Sequence, residues 1–362
     1  MGKLRLTIAF WDYDRVRPLI DRTIEPEGIE LVPTVSRPSE TFFRMLRHQE
    51  FEVSELSFSN YTMLRSRGDD AFMAIPVFPS RLFRHSCIYV NKTAGIDEPR
   101  DLIGRRIGVP EYSMTAAVFA RGLLLHEFGV RPETIEWFSG TQDGLQRPSR
   151  IDFELPGVTL TRMPLEQDMG PMLETGEIDA IISPNAPRAL GRPDSPVRRL
   201  FPDYRRAEQE YFARTGIFPI MHTVVLRRDV YEKHPWAAAS LFDAFEKAKA
   251  WAYAQLMETD ALKVTLPWVV AEIEETRRLM GHDFWPYGIE PNRASLEALP
   301  RYLHEQHLAP RVPAIKELFA PMSKSSGGLS PDKPMPFPKG KQDRENEGSE
   351  RESQEKPKKP SR

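Results

Sequence analysis

The sequence lacks almost every feature that announces a chemistry outright. It holds one cysteine, Cys87, in 362 residues, which excludes an intramolecular disulfide and any multi-cysteine zinc site. No window approaches the roughly eighteen uninterrupted apolar residues of a spanning helix. Neither sign of charge dominates: 50 Lys and Arg stand against 52 Asp and Glu, a net of -2. With no dense basic stripe in the body, nucleic acid and membrane surfaces are excluded as expected partners. There is no glycine-rich phosphate loop, no HExxH and no GxSxG, which removes the dinucleotide, P-loop, zinc-protease and hydrolase signatures. The start, MGKLRLTIAFWDYD, has no apolar run of signal-peptide length, so the expected location is cytoplasmic.

What is present is an ordinary globular composition, 40% hydrophobic and 10% aromatic, long enough to bury one large core or two modest ones. Short apolar runs alternate with amphipathic stretches. LRLTIAF, EGIELVPTV, FEVSELS, FMAIPVF and HSCIYVN read as strands, with ETFFRMLRHQ and SNYTMLRSRG as helices among them. Further on, DEPRDLIGRRIGVP gives a helical turn and a strand, followed by a helix from Ser113. PWAAASLFDAFEKAKAWAYAQLM is one long amphipathic helix. This rhythm points to an α/β protein with mostly parallel sheets flanked by helices.

Two sheets are expected rather than one, because residues 93–220 contain a full set of strands and helices of their own. The boundaries read as 1–92 for the first part of lobe 1 and 93–220 for lobe 2. Residues 221–321 return to lobe 1 and add C-terminal helices. Residues 322–362 hold almost no large apolar side chains and read as a disordered tail, mildly basic with ten Lys and Arg against seven Asp and Glu. Such a segment cannot offset its ordering entropy by burial. The lobes would meet at a cleft lined by loops at the carboxyl ends of strands, where open α/β sheets bind ligands.

DEPRDLIGRRIGVPEYSMTAA, MLETGEIDAIIS and VVLRRDVYEKHPWAAASLFDAFEKA together resemble the type II periplasmic-binding-protein-like fold over roughly residues 4 to 320. A narrower resemblance lies in VSELSFSNYTMLRSRGDD, FPSRLFRHSCIYVN, GVPEYSMTAAVFARGLL and GIFPIMHTVVLRRD. These are similar to the 4,5-dihydroxyphthalate decarboxylase family. The resemblance implies a carboxy-lyase of aromatic catabolism that removes one carboxylate from a dihydroxylated phthalate.

Candidate site residues follow from the cleft such a fold implies. Ser113 is a good helix N-cap with Thr115 in the first turn, and exposed N–H groups there suit a carboxylate. Ser113 could equally cap its own helix and nothing more. Tyr112 could close over an aromatic ring. In SELSFSNY, strand alternation sends Val53, Glu55 and Ser57 to one face. The following helix starts near Ser59 or Asn60, so Ser57 and Asn60 offer a second anion mouth. Arg81, Arg84 and His85 cluster in SRLFRHS, and arginine presents a planar fork that matches a carboxylate. His222 opens an otherwise apolar strand at the return crossover, and Asp12 follows the first strand.

Two readings divide these residues. In the first, a non-oxidative decarboxylase, His222 is the general acid and Glu55 or Asp12 the partner of a substrate hydroxyl. Arg81, Arg84, His85, Ser57, Asn60, Tyr112, Ser113 and Thr115 bind the small aromatic dicarboxylate. In the second, a small-anion binding protein, the same helix ends and arginines serve without turnover. Surplus ionisable groups favour the first. No organic cofactor is expected, a divalent metal is allowed by His85 and His222 but not indicated, and a homo-oligomer stays open.

Overall fold

The chain builds two sheets in sequence order, with the strands on which it changes lobes running against their neighbours. The structure is a computed structural model and describes residues 2–145 and 151–321. The expected tail, Met322 to Arg362, lies outside the described residues. β1 (Leu4–Phe10), α1 (Arg17–Ile20), β2 (Ile29–Val35) and α2 (Pro38–His48) come first. β3 (Val53–Ser57), α3 (Phe58–Ser66) and β4 (Phe72–Arg81) complete this run. The second group is β5 (Ile88–Asn91), β6 (Arg106–Val109), α4 (Thr115–Phe128), β7 (Glu136–Ser139) and β8 (Thr159–Arg162). It ends with α5 (Met169–Thr175), β9 (Ala180–Ile182) and β10 (Val197–Arg199). After α6 (Tyr204–Thr215), β11 (Ile220–Arg227) returns to the first sheet. The chain closes with α7 (Arg228–Lys233), α8 (Trp236–Leu256), α9 (Val269–Met280), α10 (Arg293–Glu305) and α11 (Ile315–Leu318).

The sheets run β2-β1-β3-β11-β4 and β10-β5-β9-β6-β7-β8. Five of the nine strand pairings are parallel, and every antiparallel one involves β5 or β11. Those are the two strands on which the chain enters and leaves the second lobe. This is a two-lobe arrangement of sheets flanked by helices. The expected first boundary after residue 92 shifts, because Ile88–Asn91 pair with β9 and β10 and so belong to the second sheet. His85–Cys87, expected as strand, form a single 3-10 turn.

Local chemistry sets the elements that carry the site. α2 begins with Pro38 at its first turn, where a missing N–H costs nothing. It buries Thr41, Phe42 and Met45 along one face. All five residues of β3 are buried, Glu55 among them. α4 ends at Gly129 in the left-handed region (φ 71°), whose N–H reaches back to the Leu124 and Leu125 carbonyls. α10 lies across α4 so closely that a Cβ on Gly122 would strike the Tyr302 ring. The Gln306 side chain accepts from Arg121 at 2.8 Å and donates to the Val118 carbonyl at 2.9 Å. The C-terminal helices thereby fix the second lobe to the rest.

Candidate active site

A cleft of about 560 Å³ opens between the lobes, with Tyr13, Arg37, Ser39, Phe42, Ser57 and His222 on its first-lobe wall. Arg81 and Arg84 line it at the crossover after β4. Met114, Thr115, Ala116, Leu145, Pro184 and Asn185 form the second-lobe wall. Its size falls in the usual range for a small-molecule site.

The centre of the first wall comes directly from strand register. On β11, His222 pairs across to Ser57 of β3, and Val224 to Glu55. His222 and Glu55 are therefore diagonal neighbours on one sheet face. The β11–β4 pairing shifts register on both sides of His222, the kind of irregularity that re-aims a side chain. The result is a contact of 2.5 Å between His222 Nδ1 and Glu55 Oε1. The Tyr13 hydroxyl also donates to Glu55 Oε1 at 2.7 Å, and the Trp11 N–H to Oε2 at 3.0 Å.

Full burial alone would push the Glu55 carboxyl up. The nearby His222 charge, with the hydrogen bonds from His222, Tyr13 and Trp11, outweighs it and holds Glu55 below the usual carboxylate range. Burial and the Glu55 charge push the Tyr13 phenol far above its ordinary value, so it stays a donor. An ionised carboxylate only accepts, which assigns a proton to His222 Nδ1. Nε2, with no hydrogen-bond partner among the described residues, is left for the cleft. Phe42 meets the imidazole edge-on at 4.8 Å.

The expected hydroxyl partners therefore take other places. Glu55 sits behind His222 with no exposed surface and does not line the cleft. Asp12 is turned outward to Arg17 at 2.7 Å and does not line the cleft.

The arginines differ in how fully they are occupied. Arg81 donates to the Pro286 carbonyl at 3.2 Å, Asn292 Oδ1 at 2.7 Å and the Phe218 carbonyl at 2.8 Å. Arg15, on the cleft rim, pairs with Asp14 at 2.9 Å and lies 4.1 Å from the Trp285 ring centre. Among the described residues Arg84 bonds only to two sulfurs, Met221 Sδ and Cys87 Sγ. Arg37 precedes α2 and makes no ion pair among the described residues.

The two strand-to-helix mouths meet each other. Ser57 caps α3 by accepting from the Asn60 N–H at 3.4 Å, so that helix starts before the expected Ser59. α4 starts at Thr115 with Met114 in the cap position and no side-chain cap bond. Ser113 is not the cap because its hydroxyl donates to Glu111 at 2.9 Å. Thr115 Oγ1 instead accepts the Ser59 N–H at 3.2 Å and lies 3.0 Å from Ser57 Oγ. The Ser59 hydroxyl donates to the Ser113 carbonyl at 2.7 Å. The lobes are joined at the floor of the cleft by hydroxyls that were expected to face an anion.

Ser57, Thr115, Arg81, Arg84 and His222 are thus brought together; Tyr112, Ser113, Asn60 and His85 are not. Tyr112 packs edge-on to Trp137 in the second-lobe core, with the Arg121 guanidinium 3.7 Å from its ring centre. Asn60 is wholly buried below the cleft floor. His85 sits between Phe201 and Tyr211, and burial pulls its pKa down to about 4.

Tyr13, Arg37, Ser39 and Phe42 escaped the sequence reading. The signal was in SRPSE, where proline inside the first turn marks a helix start facing the same mouth. Among the described residues no group of three His, Cys, Asp or Glu is placed to hold a metal ion. No described helix is long and apolar enough to cross a membrane.

No family model matches the chain. The chain is 42% identical over 327 residues to 4,5-dihydroxyphthalate decarboxylase of Comamonas testosteroni, covering 90% of this chain and 99% of that protein. It is 37% identical over 213 residues to the 4,5-dihydroxyphthalate decarboxylase of Pseudomonas putida, covering 59% of this chain and 83% of that one. Among solved structures, it is similar to the periplasmic aliphatic sulphonate binding protein SsuA of Escherichia coli. That match has a TM-score of 0.49 and 12% identity, over 88% of this chain and 98% of that chain.

Proposed function

The chain belongs to the 4,5-dihydroxyphthalate decarboxylase family, and from that premise we propose that it converts 4,5-dihydroxyphthalate to 3,4-dihydroxybenzoate and CO2. Each carboxylate of that substrate is para to a hydroxyl. Electron release from the hydroxyl makes the ring carbon bearing the carboxylate basic enough to take a proton. The proposed donor is the Nε2–H of His222 in its cationic form, with Glu55 balancing the charge from behind. As the proton adds to the ring carbon, the bond from that carbon to the carboxylate breaks. Its electron pair restores the aromatic ring, and CO2 departs. His222 is left neutral and regains its proton from solvent.

The observation that carries this reading is the 2.5 Å Glu55–His222 contact in a wall that also presents Arg37 and Arg84. A carboxylate that fixes the imidazole tautomer and compensates its charge equips a general acid, and a pure anion binder has no use for it. The substrate carboxylates, on this reading, are met by Arg37 and Arg84 and by the neutral donors Ser39 and Ser57.

The test is turnover. The protein is incubated with a large excess of 4,5-dihydroxyphthalate while CO2 release and the ultraviolet spectrum are followed. Many equivalents of CO2, each matched by one 3,4-dihydroxybenzoate, are expected. Stoichiometric binding with no CO2 would contradict the proposal.

A further inference from the structure

We infer that Arg84 holds the carboxylate that the substrate keeps, and that Met221 and Cys87 position it there. This deepens the decarboxylation reading and rests on it. Arg84 is buried, at 6% exposure, yet no counter-ion pairs with it among the described residues. Nε donates to Met221 Sδ at 3.2 Å and Nη1 to Cys87 Sγ at 3.4 Å. Nη2 has no hydrogen-bond partner, and no carboxylate stands within ion-pair distance of the guanidinium, among the described residues. Glu208, which is near enough to interact weakly, accepts the Ser86 N–H at 3.1 Å and is pushed toward its neutral form by burial. A buried cation without an anion is costly, and here that cation lines the cleft.

Thioether and thiol sulfurs are weak acceptors. They hold the guanidinium in place while neutralising little of its charge. Arg81 shows the contrast: carbonyls and an amide oxygen take its terminal nitrogens, and the Phe218 ring lies 4.3 Å away. Its role is to tie the crossover to the C-terminal segment. Met221 precedes His222 on β11, so one strand sets both the proton donor and the clamp, and their separation is fixed by the backbone.

Chemistry decides which carboxylate Arg84 meets. The departing group turns from an anion into neutral CO2. A cation held against it would stabilise the starting state more than the transition state and raise the barrier. The retained carboxylate keeps its charge throughout, so an anchor on it costs no rate. The apolar Phe42 edge beside His222 suits the departing group, and the strong cation suits the other.

The experiment measures calorimetric dissociation constants for two unreactive ligands, alongside kcat on the substrate and the melting temperature. 3,4-Dihydroxybenzoate carries only the retained carboxylate; phthalate carries both. Arg84→Met should weaken both ligands by at least about thirtyfold, the scale for removing one partner of a buried charge pair. Arg84→Lys, which keeps the charge without the fork, should fall in between. Met221→Leu should weaken both ligands several-fold, with KM on the substrate rising more than kcat falls and the melting temperature unchanged. Should Arg84→Met not fold, Arg84→Lys and Met221→Leu still decide the matter.

Loss of phthalate binding with 3,4-dihydroxybenzoate unaffected would place Arg84 on the departing group and overturn the assignment. Undiminished binding of both would move the anchor to Arg37. Wild-type protein that binds these acids through Arg84 but releases no CO2 would refute the decarboxylation reading and leave the anchor standing.

Discussion

Two strand-to-helix turns face each other across the cleft, written in nearly the same letters: ELSFSN between β3 and α3, VPEYSMT between β6 and α4. In the first, Ser57 caps the helix and Glu55 backs His222. In the second, Met114 stands in the cap position, Ser113 turns to Glu111, and Thr115 is spent on the opposite lobe. The difference extends to the whole walls. The first wall and the crossover carry Tyr13, Arg15, Arg37, Arg81, Arg84 and His222, whereas the second presents Met114, Thr115, Ala116, Leu145, Pro184 and Asn185.

Among the described residues, the titratable side chains that line the cleft therefore stand on one sheet and its flanks. The described second-lobe lining is apolar but for Thr115 and the Asn185 amide. On the proposed reading, acid, backing carboxylate and anchor are spaced by β11, β3 and the turn after β4.

The comparison breaks most visibly at His222. His222→Asn should lower kcat by on the order of a hundred- to ten-thousand-fold, while phthalate affinity changes little. Steady-state kinetics and calorimetry check the two halves separately. A variant that loses affinity as well would make His222 a binding group and blur the division of labour along the first wall.

His85 belongs to neither wall, and pH separates it from the site. Burial, aided by the Arg214 charge, lowers it from 6.5 to about 4. Between those values the unfolded chain takes up a proton that the folded chain refuses, so stability falls as pH drops through that window. The full effect is on the order of 3 kcal/mol. Urea midpoints from pH 6.5 to 4 should show this slope in the wild type and lose it in His85→Phe, with turnover at neutral pH retained. Glu55 acts in a lower window. Because its folded value is depressed below 4.5, its contribution is present above that pH and disappears as pH falls through the folded value.

The smallest effect is expected from the second wall. Thr115→Val keeps the shape but removes the acceptor of the Ser59 N–H. That should cost about 1 kcal/mol of stability and change kcat by only a few-fold. A loss of kcat near that of His222→Asn would show that the second wall takes part in the chemistry.

The fold was largely legible because short apolar runs and amphipathic stretches alternate with few competing signals. β3, β11 and α8 stand where VSELS, the TVVLRRD segment and the long PWAAAS stretch indicated. The site was legible where pattern and topology coincide. His222 and Ser57 sit at crossover and mouth, and strand alternation had already put Glu55 on the face of Ser57. What failed was side-chain direction. Asp12 and Tyr13 are neighbours in sequence, yet one reaches Arg17 outside and the other Glu55 inside. Nothing in FWDYD separates them. Ser113 looked like a cap, but hydroxyl preference cannot say whether a nearer acceptor such as Glu111 will claim it. His85 was drawn to the site by the two arginines before it, while packing against Phe201 and Tyr211, distant in sequence, decided its place.

The central claim is that Glu55 works only through His222, and a double-mutant cycle tests it most directly. Turnover of 4,5-dihydroxyphthalate is measured for wild type, Glu55→Gln, His222→Asn and the double variant, with melting temperatures recorded to exclude unfolding. Groups that act as a unit are strongly non-additive. Glu55→Gln should slow the wild type markedly and add almost nothing in the His222→Asn background, leaving the double variant as active as His222→Asn alone. Losses that simply multiply would contradict the account, because Glu55 would then act on the reaction by a route of its own.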